Sequence, residues 1–165
     1  MFMSNADSKS RGQVASLHLH PEKSGTPMAP ISEMEVEASR GIVGEPRYFG
    51  RTSRSTGEPS RRQVTLMERE QIQEHATALG MSEIAPGLVR SNVETTGVDL
   101  ISLIGKDVKV GGAILRFYAP RDPCEQMDAI CQGLRERMLH SRQGVLAEVI
   151  ESGAIKVGDV VEPVE

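Results

Sequence analysis

Cys124 is the residue best placed to do chemistry. It follows a strand-like run, Ala113 to Tyr118, and precedes a helix-like run from about Glu125 to Met138. The spacing predicts a cysteine at the first turn of a helix, where backbone N–H groups lack intrahelical partners and the dipole is positive. Arg121, three residues upstream, adds a fixed cation, and Pro123 suits helix entry because its missing N–H costs nothing there. Such surroundings favour thiolate over thiol. The thiolate is the form that attacks sulfur, carries a persulfide or binds a soft metal. The competing reading is a buried, inert cysteine beside a helix start.

Three further groups could hold an anion. Lys23 and Ser24, with the backbone N–H groups around Gly25, form a loop that could take a phosphate or could simply be solvated. Arg90 and Asn92 fall two apart in a strand-like run, Leu88 to Val93; a guanidinium fork beside an amide can grip a planar heterocycle or a phosphate, and an exposed polar face is the alternative. Residues 38–61 have little pattern and carry Arg40, Arg47, Arg51, Arg54 and Arg61, with Arg62 just after. So long an unpatterned stretch is uncommon unless functional or mobile, and we read it as a flexible basic loop near an anionic ligand. His18 and His20 could share a metal but lack an evident third ligand, so exposed strand histidines are expected.

The elements that must position these groups are short. Gln13 to His20 alternates as a half-buried strand, Met34 to Glu37 as a second, and Arg62 to Leu66 as a third. Thr65 to Glu68 matches a capping box for a helix that carries Ile72, Ala76 and Leu79 and stops at Gly80. Gly111 and Gly112 between apolar runs signal a hairpin. Met127, Ile130, Cys131, Leu134 and Met138 recur as one helical stripe, which puts Cys131 in packing. Val145 to Ile150 is a strand, Ser152 to Asp159 a turn region, and Val160 to Val164 a last strand. The sum is mainly β with helical excursions, a small β-barrel with two or three helices. Residues 1–12 read as a disordered tail and 13–165 as one domain.

Composition narrows the classes. The chain has 165 residues, 38% hydrophobic but only 3% aromatic, so Val, Ile, Leu, Met and Ala must build the core. A net charge of −4 argues against generic nucleic-acid binding. No apolar run approaches the roughly 20 residues of a membrane helix, and no signal-peptide core is visible. The two cysteines, seven apart on one expected helix, would be about 10 Å apart axially, too far for a disulfide. A reduced, cytoplasmic protein is expected.

The order of these pieces resembles the MOSC domain, the C-terminal domain of molybdenum cofactor sulfurases, which also occurs alone and in the mitochondrial amidoxime-reducing component. The resemblance runs from about Gln13 to Val164. It is carried by Lys23 to Met28, Gly41 to Gly44, Arg62 to Leu66, Pro86 to Asn92, Gly97 to Leu100, Gly105 to Gly111, Arg121 to Cys124 and Gly153 to Asp159. It implies a β-barrel around a molybdenum cofactor (molybdopterin) pocket. Cys124 would be molybdenum ligand or sulfur carrier. Lys23 and Ser24 would bind phosphate or pterin, Arg62, Arg90 and Asn92 would complete the cradle, and Arg121 would add its charge beside the thiol. Two positions depart from the family pattern. Glu45, Pro46 and Arg47 follow Gly44 where Asp and a basic residue are usual, and Ser91 stands where Glu is common.

The sequence shows no pyridoxal phosphate site, nucleotide-binding glycine fingerprint or iron–sulfur cysteine set. Sulfur would have to come from a separate pyridoxal-phosphate cysteine desulfurase, and electrons from an electron-transfer protein. Three functions are compatible: a molybdenum-cofactor-binding or sulfur-carrying module, an oxidoreductase subunit reducing N-hydroxylated substrates, and a binding domain that has lost the cofactor.

Overall fold

The structure, a computed structural model, describes residues 10–23 and 25–165. Its centre is a closed barrel of seven strands. These are β1 (Ser10–Leu19), β5 (Val64–Glu68), β6 (Val93–Val98), β7 (Asp107–Val110), β8 (Ala113–Pro120), β9 (Val145–Glu151) and β11 (Val160–Pro163). They run β1-β11-β7-β8-β9-β5-β6 and return to β1. β2 (Ala29–Ile31) extends β1, and a small sheet, β10-β3-β4, joins β3 (Glu33–Glu37), β4 (Gly41–Ile42) and β10 (Gly153–Lys156). Among the described residues the fold is thus mostly β with three helices, as the sequence predicts.

Burial explains the barrel. One face of each strand points inward, and Leu17, Leu66, Val93, Leu115, Phe117, Val149 and Val161 form one apolar cluster. Every neighbouring pair is antiparallel except β5–β6. A parallel pair needs a crossover, and helix α1 (Arg69–Ala78) supplies it. α1 lies on the outside of the barrel, so β5 is covered on both faces, and Val64 to Met67 are all buried. A second cluster fills the space beneath the helices: Met67, Ile72, Ala76, Ile84, Val89, Met127, Leu134 and Met138.

Several expectations are corrected by neighbours the sequence does not reveal. Ser10 to Gly12, assigned to the tail, belong to β1; residues 1–9 lie outside the described residues. β1 is bulged between Val14 and Ser16, so strict alternation fails there, and His18 and His20 are buried instead of exposed because Ser91 and Glu45 cover them. Thr65 caps nothing: it sits within β5, and the N-cap is Glu68, which makes no side-chain cap. Gly80 does end α1 with a left-handed φ of +79°. Leu88 to Asn92 are loop, not strand, with Arg90 at φ +66°. The helix expected over 125–138 is two short ones, α2 (Met127–Ile130) and α3 (Leu134–Arg137), interrupted by Gly133 at φ +94°. Both halves keep the apolar stripe, which is why the periodicity looks continuous. Gly153 to Lys156, read as turn, is β10, paired with β3 from Gly153–Val36 to Lys156–Glu33.

Candidate functional site

One mouth of the barrel gathers the chemistry. His20 follows the end of β1, Arg62 precedes β5, Arg90 precedes β6, and Arg121 and Cys124 follow β8. Pro120 pairs with Val145, Val145 with Leu66, Leu66 with Val93 and Val93 with Leu17, so the end of β8, the start of β6 and the end of β1 share one row of the barrel wall and their flanking residues meet. They line a cleft of about 460 Å³ with Arg47, Tyr48, Asp122, Glu125 and Gln126.

Cys124 is exposed, in a loop that turns through a Met127 N–H to Cys124 carbonyl bond of 3.2 Å. The helix beyond it has only four residues, so the helix-terminus field expected at this thiol is absent; a dipole needs aligned turns. The positive field comes instead from side chains. Arg121 is only 6% exposed and donates to Ser91 Oγ at 3.0 Å and Val89 carbonyl at 3.3 Å. Ser91 meets this guanidinium with a neutral hydroxyl, so the charge stays uncompensated. Burial, with Arg62 nearby, pushes the Arg121 pKa down to about 10. It is still a cation at neutral pH. Its backbone N–H bonds Gly144 carbonyl at 3.0 Å, and a Cβ on Gly144 would collide with Leu66 carbonyl, so only glycine fits behind Arg121.

Arg62 lies over Tyr48, 5.0 Å from the ring centroid, and its Nε is buried without a hydrogen-bond partner. Arg90 donates to Thr26 carbonyl at 2.9 Å. Burial and then the charge of Arg47 lower its pKa. Among the described residues no carboxylate lies within 4 Å of Arg47, Arg62, Arg90 or Arg121, whereas Arg69, Arg61 and Arg116 all have such partners. Uncompensated guanidinium groups around a cleft, one of them with an orphaned buried donor, fit an anionic, oxygen-rich ligand.

The other predicted site residues divide. Asn92 is fully buried and used by the scaffold: its amide oxygen accepts from Thr65 N–H and Oγ at 3.1 Å each, and its Nδ2 donates to His18 carbonyl at 3.1 Å. It does not line the cleft. Lys23 is exposed and also does not line it; Ser24 lies outside the described residues.

Sequence reasoning passed over Glu45 and Tyr48, placed Arg47 only in a basic loop near an anionic ligand, and expected His20 to be an exposed strand histidine. Glu45 is the anchor. Its Oε1 accepts from His20 N–H at 2.8 Å and lies 2.7 Å from His20 Nδ1; its Oε2 accepts from the N–H groups of Arg47 at 2.7 Å and Tyr48 at 3.1 Å. Burial acts to raise the Glu45 pKa, but the His20 contacts and the Arg47 N–H outweigh it and hold the carboxyl at about 2. His20 meets Tyr48 edge to face, centroids 5.4 Å apart. The signal in the sequence was an acid before Pro46, placed to cap the N–H groups two and three residues on, plus a strand-end histidine.

The MOSC domain model matches residues 29–162, and this chain belongs to the MOSC domain family, which is associated with the molybdenum cofactor. Solved structures with the same fold include the YuaD protein from Bacillus subtilis (TM-score 0.76, 21% identity, 92% of this chain and 94% of that one). YiiM from Geobacillus stearothermophilus follows with a TM-score of 0.71 at 17% identity, over 93% of this chain and 75% of that one. YiiM from Escherichia coli gives 0.66 at 18%, over 94% and 70%. Among curated proteins no sequence matches this one. Among the described residues no helix is long and apolar enough to cross a membrane.

Proposed function

We propose that the cleft binds molybdenum cofactor, with Cys124 as the protein's ligand to the metal. The observation that carries this reading is the exposed thiol of Cys124 in a cleft shared by four arginines that form no ion pair. When bound, the cofactor supplies a molybdenum centre able to transfer oxygen atoms or electron pairs. Arg62, Arg90 and Arg121 would hold its phosphate and pterin through charge-assisted bonds. Arg121, fixed by Ser91 and Val89, orients that charge next to the thiol. Tyr48 and His20 close one wall and limit water.

The test is pterin content after oxidative release from protein made in a cofactor-producing host. Stoichiometric pterin is expected, and Arg121→Met should lower retention about ten-fold or more, the worth of one charged hydrogen-bond set. A wild type free of pterin would overturn the reading.

A second reading is favoured by the exposure of Cys124. A thiol at the lip can meet the persulfide of a separate cysteine desulfurase. Cys124 thiolate would take the terminal sulfur, the donor S–S bond would break, and the donor would keep its thiolate. Incubation with a desulfurase and cysteine would then add one sulfur mass to Cys124. Reduction of N-hydroxylated substrates with an external electron donor would follow from the first reading. A cofactor-free barrel used only for binding would show neither pterin nor persulfide.

A further inference from the structure

The cleft carries more positive charge than its barrel-end arginines alone provide. Arg62 and Arg121 stand on the barrel rim. Arg47 comes from elsewhere, from the long loop after β4, and its backbone is fixed by the buried carboxylate of Glu45. That carboxylate also takes the N–H of Tyr48 and the N–H and ring of His20, and Asn92 Nδ2 approaches it at 3.4 Å. Its oxygens meet these groups and form no ion pair with the guanidinium two residues away. Arg47 is half-buried and sits close enough to Arg90 for the two charges to repel. Holding like charges together has a cost that the fold sustains, and a bound anion would remove it. Asp122 and Glu125 also line the cleft, both exposed. Four guanidinium groups against the carboxylates of Asp122 and Glu125, with Glu45 behind the wall, leave positive charge in excess around an exposed thiol.

We propose that the small molecule meeting Cys124 in this cleft is an anion, a carboxylate or oxyanion, and that Arg47 is the residue that selects it. This rests on Cys124 being the reactive group of the cleft. Lone cationic bases are disfavoured by the same charge. Arg47 acts by raising the local concentration of anions and by aligning them; it is not placed among the groups that hold the cofactor.

The test compares two alkylating agents of nearly equal size and different charge, iodoacetate and iodoacetamide, on the cofactor-free full chain. Each reacts by attack of the thiolate on the methylene carbon with departure of iodide. Site-resolved mass spectrometry separates Cys124 from Cys131, the other free cysteine. The rate ratio is normalised to that of a neutral thiol, N-acetylcysteine amide. One to two charges in excess at water-like dielectric give a ratio raised roughly three- to ten-fold at low salt. Arg47→Gln should lower it about three-fold, while Arg54→Gln, an exposed residue outside the cleft, should leave it unchanged. In 1 M salt, where screening acts within roughly 3 Å, the preference should collapse. A wild-type ratio equal to that of the free thiol, or an undiminished ratio in Arg47→Gln, would overturn the proposal. The alkylation ratio involves no cofactor, so absence of pterin would not move it. Protein that binds pterin and shows no anion preference would overturn this inference alone.

Discussion

Arg69 and Arg121 are both withdrawn from solvent, and they are treated in opposite ways. Arg69, on the outside of the barrel, pairs with the wholly buried carboxylate of Glu94 at 2.7 Å and also donates to Ile84 carbonyl. Glu94 in turn takes the N–H of Gly87 at 2.8 Å. Every charge there has a counter-charge, and the group ties α1, the loop before β6 and the barrel together. Arg121, at the barrel mouth, has a carbonyl and a hydroxyl but no carboxylate. A buried charge without a counter-charge is costly, and a fold selected for stability alone would pair it or replace it. The paired arginine holds the scaffold, and the unpaired one is left to meet the proposed ligand.

Breaking the paired side should cost most. Glu94→Ala leaves Arg69 without its carboxylate and Gly87 N–H without its acceptor, and should lose about 3 kcal/mol in urea unfolding. Next comes Glu45→Gln, which weakens hydrogen bonds to a charged group and should lose about 2 kcal/mol at pH 7. Its pH dependence has a definite sign. The folded-state pKa of about 2 lies below the ordinary value of 4.5, so the contribution is full above about 4.5 and is lost as pH falls toward 2. Wild type and Glu45→Gln should therefore converge in stability at acid pH; a gap that stays constant from pH 7 to pH 2.5 would contradict the anchor.

On the unpaired side the effects should be small or reversed. Arg121→Met removes a buried cation that has no counter-charge, and should change stability by less than about 1 kcal/mol while lowering ligand retention about ten-fold or more. A loss as large as that of Glu94→Ala would erase the contrast. Glu68 gives the finest test. Burial, reinforced by Asp99, Glu70 and Glu74 and opposed by the Leu100 N–H, raises its pKa to about 7. Here the folded pKa exceeds the unfolded one, so stability is full below about 4.5 and falls as pH rises through 7. Glu68→Gln should flatten that decline, seen as a thermal midpoint higher than wild type at pH 8 and not at pH 5.

Much of this was legible in the sequence, for a reason that also marks the limit. β3 and β9 alternate cleanly because one face meets the core, and the β7–β8 hairpin is announced by Gly111 and Gly112, joined as Val110 opposite Ala113. Arg62, Arg90, Arg121 and Cys124 were picked out by residue type and order, and all four line the cleft. What failed depended on contacts across the chain. His18 and His20 are covered by Ser91 and Glu45, partners 73 and 25 residues away. Asn92 looked like a ligand donor, yet its amide is consumed by Thr65 and His18. Arg90 and Asn92, expected on one strand face, diverge because Arg90 takes a left-handed backbone. The helix over 125–138 carried a true apolar stripe, and only the backbone at Gly133 shows that it breaks. That break moves the origin of the positive field at Cys124 from a helix terminus to three or four side chains.

The central claim is that Cys124 and the arginines beside it form a molybdenum-cofactor site. The most direct measurement is the molybdenum content of the purified protein from a cofactor-producing host, with Cys124→Ser alongside. The account predicts near-stoichiometric molybdenum in the wild type and its disappearance in the variant. Equal molybdenum in both proteins, or none in either, would contradict it.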